Sequence, residues 1–377
     1  MLKVAIVGCG KIADAHASQI GRVPGSEIVA VCDREPLMAE QLAERFPVRR
    51  AFTDVDTMLR EARPDVVHVT TPPESHFEIA RGCLEAGCHV YVEKPFTLHA
   101  AQARALVALA TEHGLKLTVG HDDQFSHTAR RMRALVQSGY LGGPVVHMES
   151  HYGYDLGDGY ARALLGDPRH WVRRLPGGLL HNVISHGIAR IAEFLTTDAP
   201  GVVARGFVSP RLAALGETRI MDELRVLVSE GVGASAFFTF SSQMRPALRQ
   251  FRLYGPSNSL LLDQDHETLV RVPGRRFPSY VAKFVPPLGI AGQQVANLLT
   301  NGRAFLARDF HMKSGMKYLI EAFHQSIVRD TSPPIPYREI LLTASIMDSI
   351  LEQLRAQGPA SRNGGREQLA WWPADAP

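Results

Sequence analysis

The sequence predicts an α/β protein in two parts: an N-terminal doubly wound parallel sheet, then a C-terminal α+β domain with a large, mostly antiparallel open sheet. Three observations predict it. Short β-branched runs alternate with helical stretches as far as residue 121, the pattern of a parallel sheet covered by helices on both faces. Beyond that point strand-like runs follow one another across turns, the pattern of an antiparallel sheet. A glycine-rich turn joins the first strand to the first helix.

In the first part strands are expected at Lys3–Val7, Glu27–Cys32, Val66–Thr70, His89–Val92 and Lys116–Gly120, with helices near Lys11–Gly21, Pro36–Phe46, Ser75–Ala86 and Ala100–His113. Thr97 supplies a cap that starts the last of these at Leu98. After Asp122 the style changes. "TARRMRALVQSGYLG" is an amphipathic helix closed by glycines, and strands follow at Pro144–Tyr152, Val202–Val208, Leu224–Ser229, Ala234–Phe240, Gln250–Tyr254, Ser259–Leu262 and Thr268–Val272. "YGPSN" between two of them is turn chemistry. Helical patterns return at Lys313–Val328 and Ile340–Gln357. The expected division is residues 1–121, residues 122–357 and an irregular tail, 358–377, with Trp371 and Trp372 as an anchor.

At 377 residues, 45% of them hydrophobic and 21% charged, the chain is long enough for two globular domains. A net charge of +3, evenly spread, excludes a nucleic-acid binder. No stretch approaches a membrane span, and the apolar run at the N-terminus is too short for a signal peptide, so a cytoplasmic protein is expected. Cys9, Cys32, Cys83 and Cys88 show no zinc-type spacing and read as reduced, partly buried thiols.

"VAIVGCGKIADAHA" places Gly8, Gly10 and Ala13 in a G-x-G-x-x-A pattern after a strand and before a helix that Lys11 and Ile12 begin. Small residues there let backbone N–H groups approach a pyrophosphate at the helix N-terminus. The next strand ends in Asp33, 33 − 10 = 23 residues past Gly10, near the spacing of the carboxylate that binds a ribose. The pattern is that of a Rossmann dinucleotide site. Asp33 repels a 2′-phosphate and so favours NAD over NADP, although the adjacent Arg34 can hold such a phosphate.

Ligands of open parallel sheets collect at the carboxyl ends of strands. Two such ends carry unusual residues. In "VTTPPESHFEIA" Pro72–Pro73 stiffen the strand exit, and in "VEKPF" Pro95 keeps Lys94 out of the helical region. A lysine fixed beside a nicotinamide site is a candidate for chemistry rather than for a surface ion pair with Glu93. Together "GCGKIADAH", "TTPPESH", "VEKPF" and "PGGLLHNVISHG", in that order, resemble the glucose–fructose oxidoreductase/inositol dehydrogenase (Gfo/Idh/MocA) family over nearly the whole chain. The resemblance implies that Lys94 contacts the substrate hydroxyl near the hydride-accepting nicotinamide. It also implies that Thr71, Pro72 and His76 line the cofactor and that Glu93 lies near the nicotinamide ribose. It implies a second domain whose antiparallel sheet supplies substrate contacts and a subunit interface, hence a homodimer or homotetramer.

"LPGGLLHNVISHGIARIAEFL" reads as two glycines leading into one helix, with Asn182 and His186 on one face at i and i+4. His181 and His186 lie about 140° apart around that helix, so no metal is expected, and His181, Asn182 and His186 are read as substrate-binding residues. The family usually carries an Asp where Asn182 stands, and Asn cannot accept a proton. In "VGHDDQFSH", His121, Asp122 and Asp123 are either substrate contacts or a solvated loop and helix cap. In "DPRHWVRRLPGG", Trp171 can stack on a sugar, and Arg169, Arg173 and Arg174 can hold a phosphate or carboxylate or form a basic turn.

The expected function is an NAD(P)-dependent oxidoreductase moving a hydride between nicotinamide and a ring carbon of a sugar, cyclitol or nucleotide-sugar. His186, better matched to pH 7, takes the proton while Lys94 orients the hydroxyl, or the two exchange roles. The alternatives are a glycosidase that uses NAD transiently and a non-catalytic NAD-sensing protein.

Overall fold

The computed structural model describes residues 1–156, 159–274, 277–310 and 313–357, with backbone only at 159–162. The expected tail, with Trp371 and Trp372, lies outside the described residues. Strands β1 (Leu2–Val7), β2 (Ser26–Cys32), β3 (Ala51–Phe52), β4 (Val66–Val69), β5 (His89–Val92) and β6 (Leu117–Val119) form one sheet in the order β3-β2-β1-β4-β5-β6. Every pairing in it is parallel. All four residues of "VVHV" and the last three of "HVYV" are buried because helices cover both faces of the sheet.

The second sheet holds β7 (His147–Gly153), β8 (Gly201–Phe207), β9 (Glu223–Ser229), β10 (Ser235–Ser241), β11 (Arg249–Tyr254), β12 (Asn258–Asp263) and β13 (Thr268–Pro273). Its order is β13-β12-β11-β7-β10-β9-β8, and β7–β10 is its one parallel pairing. In β9 the pattern of buried Leu224, Val226 and Val228 against exposed Arg225 and Leu227 gives the sheet one covered and one open face.

Every strand expected from the sequence is present within a few residues. Short elements not expected include β3 and the helices Val55–Ala62, Gly159–Gly166 and Pro210–Ala214. Nor was the 22-residue helix Val285–Leu306 expected. Its Pro-Pro and its glycines disguise it, and Asn297 is its one buried residue, so no apolar stripe marks it. Side-chain amides hold it instead. Asn297 Nδ2 donates to the Leu269 carbonyl at 3.1 Å, while Gln293 accepts from Arg271 N–H at 2.8 Å and donates to its carbonyl at 3.0 Å. These bonds occupy the free backbone edge of β13.

Thr97 does not cap the helix after β5. Its hydroxyl donates to the His99 carbonyl at 2.9 Å, and the helix runs Ala100–Glu112. The N–H of Ala100 donates to Asp348 Oδ2 at 2.7 Å, a cap from 248 residues away that no local pattern could reveal.

Packing crosses residue 121 through two late helices. The helix Ser314–Val328 sends Met316, Leu319, Ile320 and Phe323 into the core of the first sheet. The helix Tyr337–Ala356 serves both cores, with Ile340 in the first and Ile346, Ile350 and Leu354 in the second. All four cysteines are buried free thiols. No helix among the described residues is long and apolar enough to cross a membrane. Asp348→Ala is expected to lower stability by about 1 kcal/mol through loss of the cap. Urea unfolding checks this by a lower midpoint at unchanged slope, and an unmoved midpoint would overturn the capping role.

Candidate active site

β1 and β4 are neighbours in space but not in sequence, so the crevice between their carboxyl ends is the ligand position of the first sheet. Gly8 turns there with φ +95°, and a Cβ on it would stand 2.7 Å from the Thr71 backbone nitrogen. Only glycine permits that turn and that contact. A Cβ on Gly10, at the start of helix Lys11–Ile20, would meet nothing within 4 Å, so the approach to the helix N-terminus is open. Asp33 closes the end of β2, its carboxylate accepting from Cys9 N–H at 2.7 Å and Glu35 N–H at 3.0 Å. Gly8, Gly10, Asp33, Arg34, Thr71 and Pro72 line a cavity of about 660 Å³. A glycine cradle, an open helix N-terminus and a fixed carboxylate fit a dinucleotide. Lys11 is exposed at the helix start, and Ile12 is half-buried against the first core.

His76 has a different place from the one expected. It is 1% exposed, with Nε2 at 2.8 Å from the Thr71 carbonyl and Nδ1 at 2.9 Å from the Pro95 carbonyl. It joins the Thr71 turn to the Lys94 turn and does not line the cavity.

Lys94 leaves β5 beside the buried Glu93. Its Nζ donates to the Asn182 carbonyl at 3.1 Å, and burial lowers its pKa from the ordinary lysine value. The helix expected through this segment is interrupted at Ile184, between Gly178–Val183 and Ser185–Ala192. The backbone carbonyl of Asn182, at that interruption, holds the lysine. Glu93 Oε2 accepts from the Lys94 N–H at 3.1 Å, and Oε1 accepts from His16 Nε2 at 2.9 Å. Burial alone would raise Glu93, but His16 and Lys94 bring it to about 2. A Cβ on Gly120 would lie 2.8 Å from that carboxylate, so glycine lets β6 end against it.

Across from Lys94 stand His186, Asp122 and Asp123. His186 Nδ1 lies 3.9 Å from both Asp122 Oδ1 and Asp123 Oδ2 and has no hydrogen-bond partner. Burial brings His186 down to about 4, which keeps its imidazole neutral at pH 7. Burial and the neighbouring Asp123 push Asp122 up to about 7. Burial works the same way on Asp123, but His186, Arg190 and Arg249 hold it well below the carboxylate range. Arg190 Nη2 donates to Asp123 at 3.0 Å, while its Nε and Nη1 are buried without partners. Ligand atoms of Asp122, Asp123 and His186 converge within 4.8 Å, but the charge of Asp123 is already met by Arg190. Tyr152 lies parallel to the His186 ring at 6.2 Å, and His121 meets it edge-on at 5.8 Å.

The remaining expected residues divide. His121 and His181 are buried by the small cavity behind Pro95–His99, lowered by burial to about 3 and about 4. Trp171 is half-buried against the second core. Arg169 is exposed, and Arg173 is committed to Glu217 at 2.8 Å. Arg174 is the arginine of that turn that reaches the dinucleotide cavity, 3.5 Å from Glu74. Sequence reasoning missed Arg190, although its i+4 spacing from His186 was a usable signal. It also missed Arg249 and Lys313, which arrive from distant elements and bear on Asp123 and Asp122.

Residues 2–121 match the family described as oxidoreductase family, NAD-binding Rossmann fold (Gfo/Idh/MocA). A stretch of 142 residues is 38% identical to D-glucoside 3-dehydrogenase of Escherichia coli, covering 37% of this chain and 40% of that one. A stretch of 120 residues is 34% identical to UDP-N-acetylglucosamine 3-dehydrogenase of Acidithiobacillus ferrooxidans, covering 32% and 37%. These alignments span only about two fifths of those relatives, 40% and 37%. Likeness of fold runs further. The WlbA dehydrogenase of Bordetella pertussis, solved with NADH and UDP-GlcNAcA, superposes with TM-score 0.74 over 94% of this chain and 96% of that one, at 17% identity.

A carboxyl raised in the folded state gives stability that is present below its unfolded pKa and lost as pH rises through the folded value. Asp122→Asn is therefore expected to be more stable than wild type at pH 8, by more than about 1 kcal/mol. The gain should fade toward pH 4, below the raised value of about 7. Urea midpoints across that range check it, and a gain independent of pH would overturn the shift.

Proposed function

We propose, for a chain whose residues 2–121 belong to the Gfo/Idh/MocA oxidoreductase family, that the whole protein is an NAD-dependent dehydrogenase of a ring hydroxyl in a sugar, cyclitol or nucleotide-sugar. The observation that carries this reading is the meeting of two half-sites. Lys94, at the end of a strand beside the dinucleotide cavity, is held by Asn182 of the second part and faces the Asp122–Asp123–His186 cluster. Two relatives whose names specify dehydrogenation at position 3 of a glucoside and of UDP-N-acetylglucosamine support the substrate class.

By this reading Gly8, Gly10, Lys11 and Ile12 hold the pyrophosphate, Asp33 and Arg34 the adenosine ribose, and Thr71 and Pro72 the nicotinamide half. Bound NAD supplies the hydride acceptor. Lys94, lowered by burial, donates to and polarises the substrate hydroxyl oxygen. The hydroxyl proton goes to the His186–Asp122 pair, where neutral His186 is open at Nδ1 and Asp122 titrates near neutrality, at about 7. Arg190, with two unpartnered nitrogens, and Tyr152 complete the substrate side. We take the protein to work as a cytoplasmic homo-oligomer. Phe237 on the open sheet face and Leu288, Leu298 and Phe305 of the long helix are exposed apolar surface that suits self-association.

The test is a single-turnover absorbance trace with stoichiometric NAD and pools of free sugars, sugar acids, glycosides and nucleotide-sugars. A stable rise in NADH with one pool is expected. A rise that decays as aglycone is released would replace this reading with the redox glycosidase, and no signal despite tight NAD binding would favour the sensor. Lys94→Ala should lower kcat by at least about 10²-fold while leaving NAD affinity nearly unchanged, and an unchanged kcat would remove Lys94 from the chemistry. In wild type kcat/KM should rise with pH through about 7 as Asp122 ionises. Asp122→Asn should erase that limb of the profile.

A further inference from the structure

Three histidines run through the core of the first sheet in an unbroken chain. His16 Nε2 lies 2.9 Å from Glu93 Oε1, and His16 Nδ1 lies 2.9 Å from His68 Nδ1. His68 Nε2 lies 3.3 Å from His324 Nε2, and His324 Nδ1 lies 2.7 Å from Ser26 Oγ. His16 and His68 are 0% exposed and His324 is 2% exposed, whereas Ser26 is half-buried between exposed Gly25 and Glu27. Apolar side chains would fill this core without the cost of burying three imidazoles. Tyr91 fixes the rings, stacked on His68 at 4.7 Å and edge-on to His16 at 5.1 Å.

We propose that this chain is a proton relay through which the buried Glu93 carboxylate exchanges a proton with solvent at Ser26, at the end of the sheet away from the dinucleotide cavity. Ser26 begins β2 and Cys32 ends it, so the relay opens about 20 Å from the ligand crevice. Ionised Glu93 can only accept, which sets every tautomer in turn. His16 carries its proton on Nε2, His68 on Nδ1 and His324 on Nε2, and Ser26 donates to His324 Nδ1. Burial lowers His68 and brings His324 to about 4, so neither of these two needs a charge at rest.

One transit moves four protons by one place each. Ser26 gives its proton to His324 Nδ1, His324 Nε2 to His68 Nε2, His68 Nδ1 to His16 Nδ1, and His16 Nε2 to Glu93 Oε1. Solvent reprotonates Ser26. The sum is one proton carried from water to Glu93, with every ring neutral and its tautomer reversed. The reverse passage empties Glu93. The use of this relay rests on the dehydrogenase reading, in the direction that reduces the keto carbon: that reaction consumes one proton, and the relay brings one from solvent to Glu93, beside Lys94, while cofactor and substrate cover the front of the site.

The experiment is ¹⁵N-histidine NMR of the full chain, reading tautomers and the solvent-exchange rates of ring N–H protons, in wild type, His324→Phe and Ser26→Val. Expected are the alternating tautomers above and exchange at His16 at least about tenfold faster in wild type than in either variant. Ser26→Val keeps the core intact and covers His324 Nδ1 with methyl groups, so its result does not depend on how the core tolerates phenylalanine. A different tautomer order, a charged imidazole in the chain, or equal exchange rates would overturn the relay. None of these readouts needs a substrate. If wild type forms no NADH with any pool, the dehydrogenase reading fails and the relay is still decided by the exchange rates.

Discussion

The constraint on which the rest depends is the carboxylate of Glu93, 6% exposed and ionised in the middle of the protein. An isolated buried charge is expensive, and every element around it is arranged to meet that cost. The Lys94 N–H and His16 bond its two oxygens, and Gly120 omits a side chain so that β6 can end against it. The same charge orients the histidine chain behind it and sets part of the field that Lys94 feels in front. One carboxylate thereby joins the sheet interior to the candidate site.

The candidate site is shared by the two parts of the chain. Lys94 leaves the first sheet and is held by a carbonyl of the helix Gly178–Val183, beside the interruption at Ile184. Titrating groups that face one another across this junction are driven apart by burial, with Asp122 pushed up to about 7 and His186 down to about 4. Separation of this kind is how one pocket holds an acid and a base at the same pH. The helix Ser314–Val328 adds a third tie, since it fills the first core and brings Lys313 toward Asp122 and His324 into the relay.

Much of this was legible in the chain because it rests on local rules. Alternating β-branched and helical runs reveal a parallel sheet whatever its partners, and the Gly8–Gly10 turn with Asp33 follows from backbone geometry near a phosphate. Lys94 was visible because the following proline fixes its charge at the mouth of an apolar strand. His68 carried a local signal too, a titratable ring in the middle of the buried run "VVHV".

The sequence by itself determined the strand–helix order, the dinucleotide turn and the lysine at the strand mouth, since each depends on periodicity or on residues within a few positions. Tertiary structure alone decided what those residues face. The cap of helix Ala100–Glu112 is Asp348, the holder of Lys94 is a backbone carbonyl 88 residues on, and the partner of His68 is His324, 256 residues on. It also decided that His76 joins two turns instead of lining the cavity and that Arg174, not Arg169, reaches it. The physical reason is common to all of these. Hydrogen bonds and burial act through space over a few ångströms, and a pattern of residue types records the distance along the chain but not across the fold.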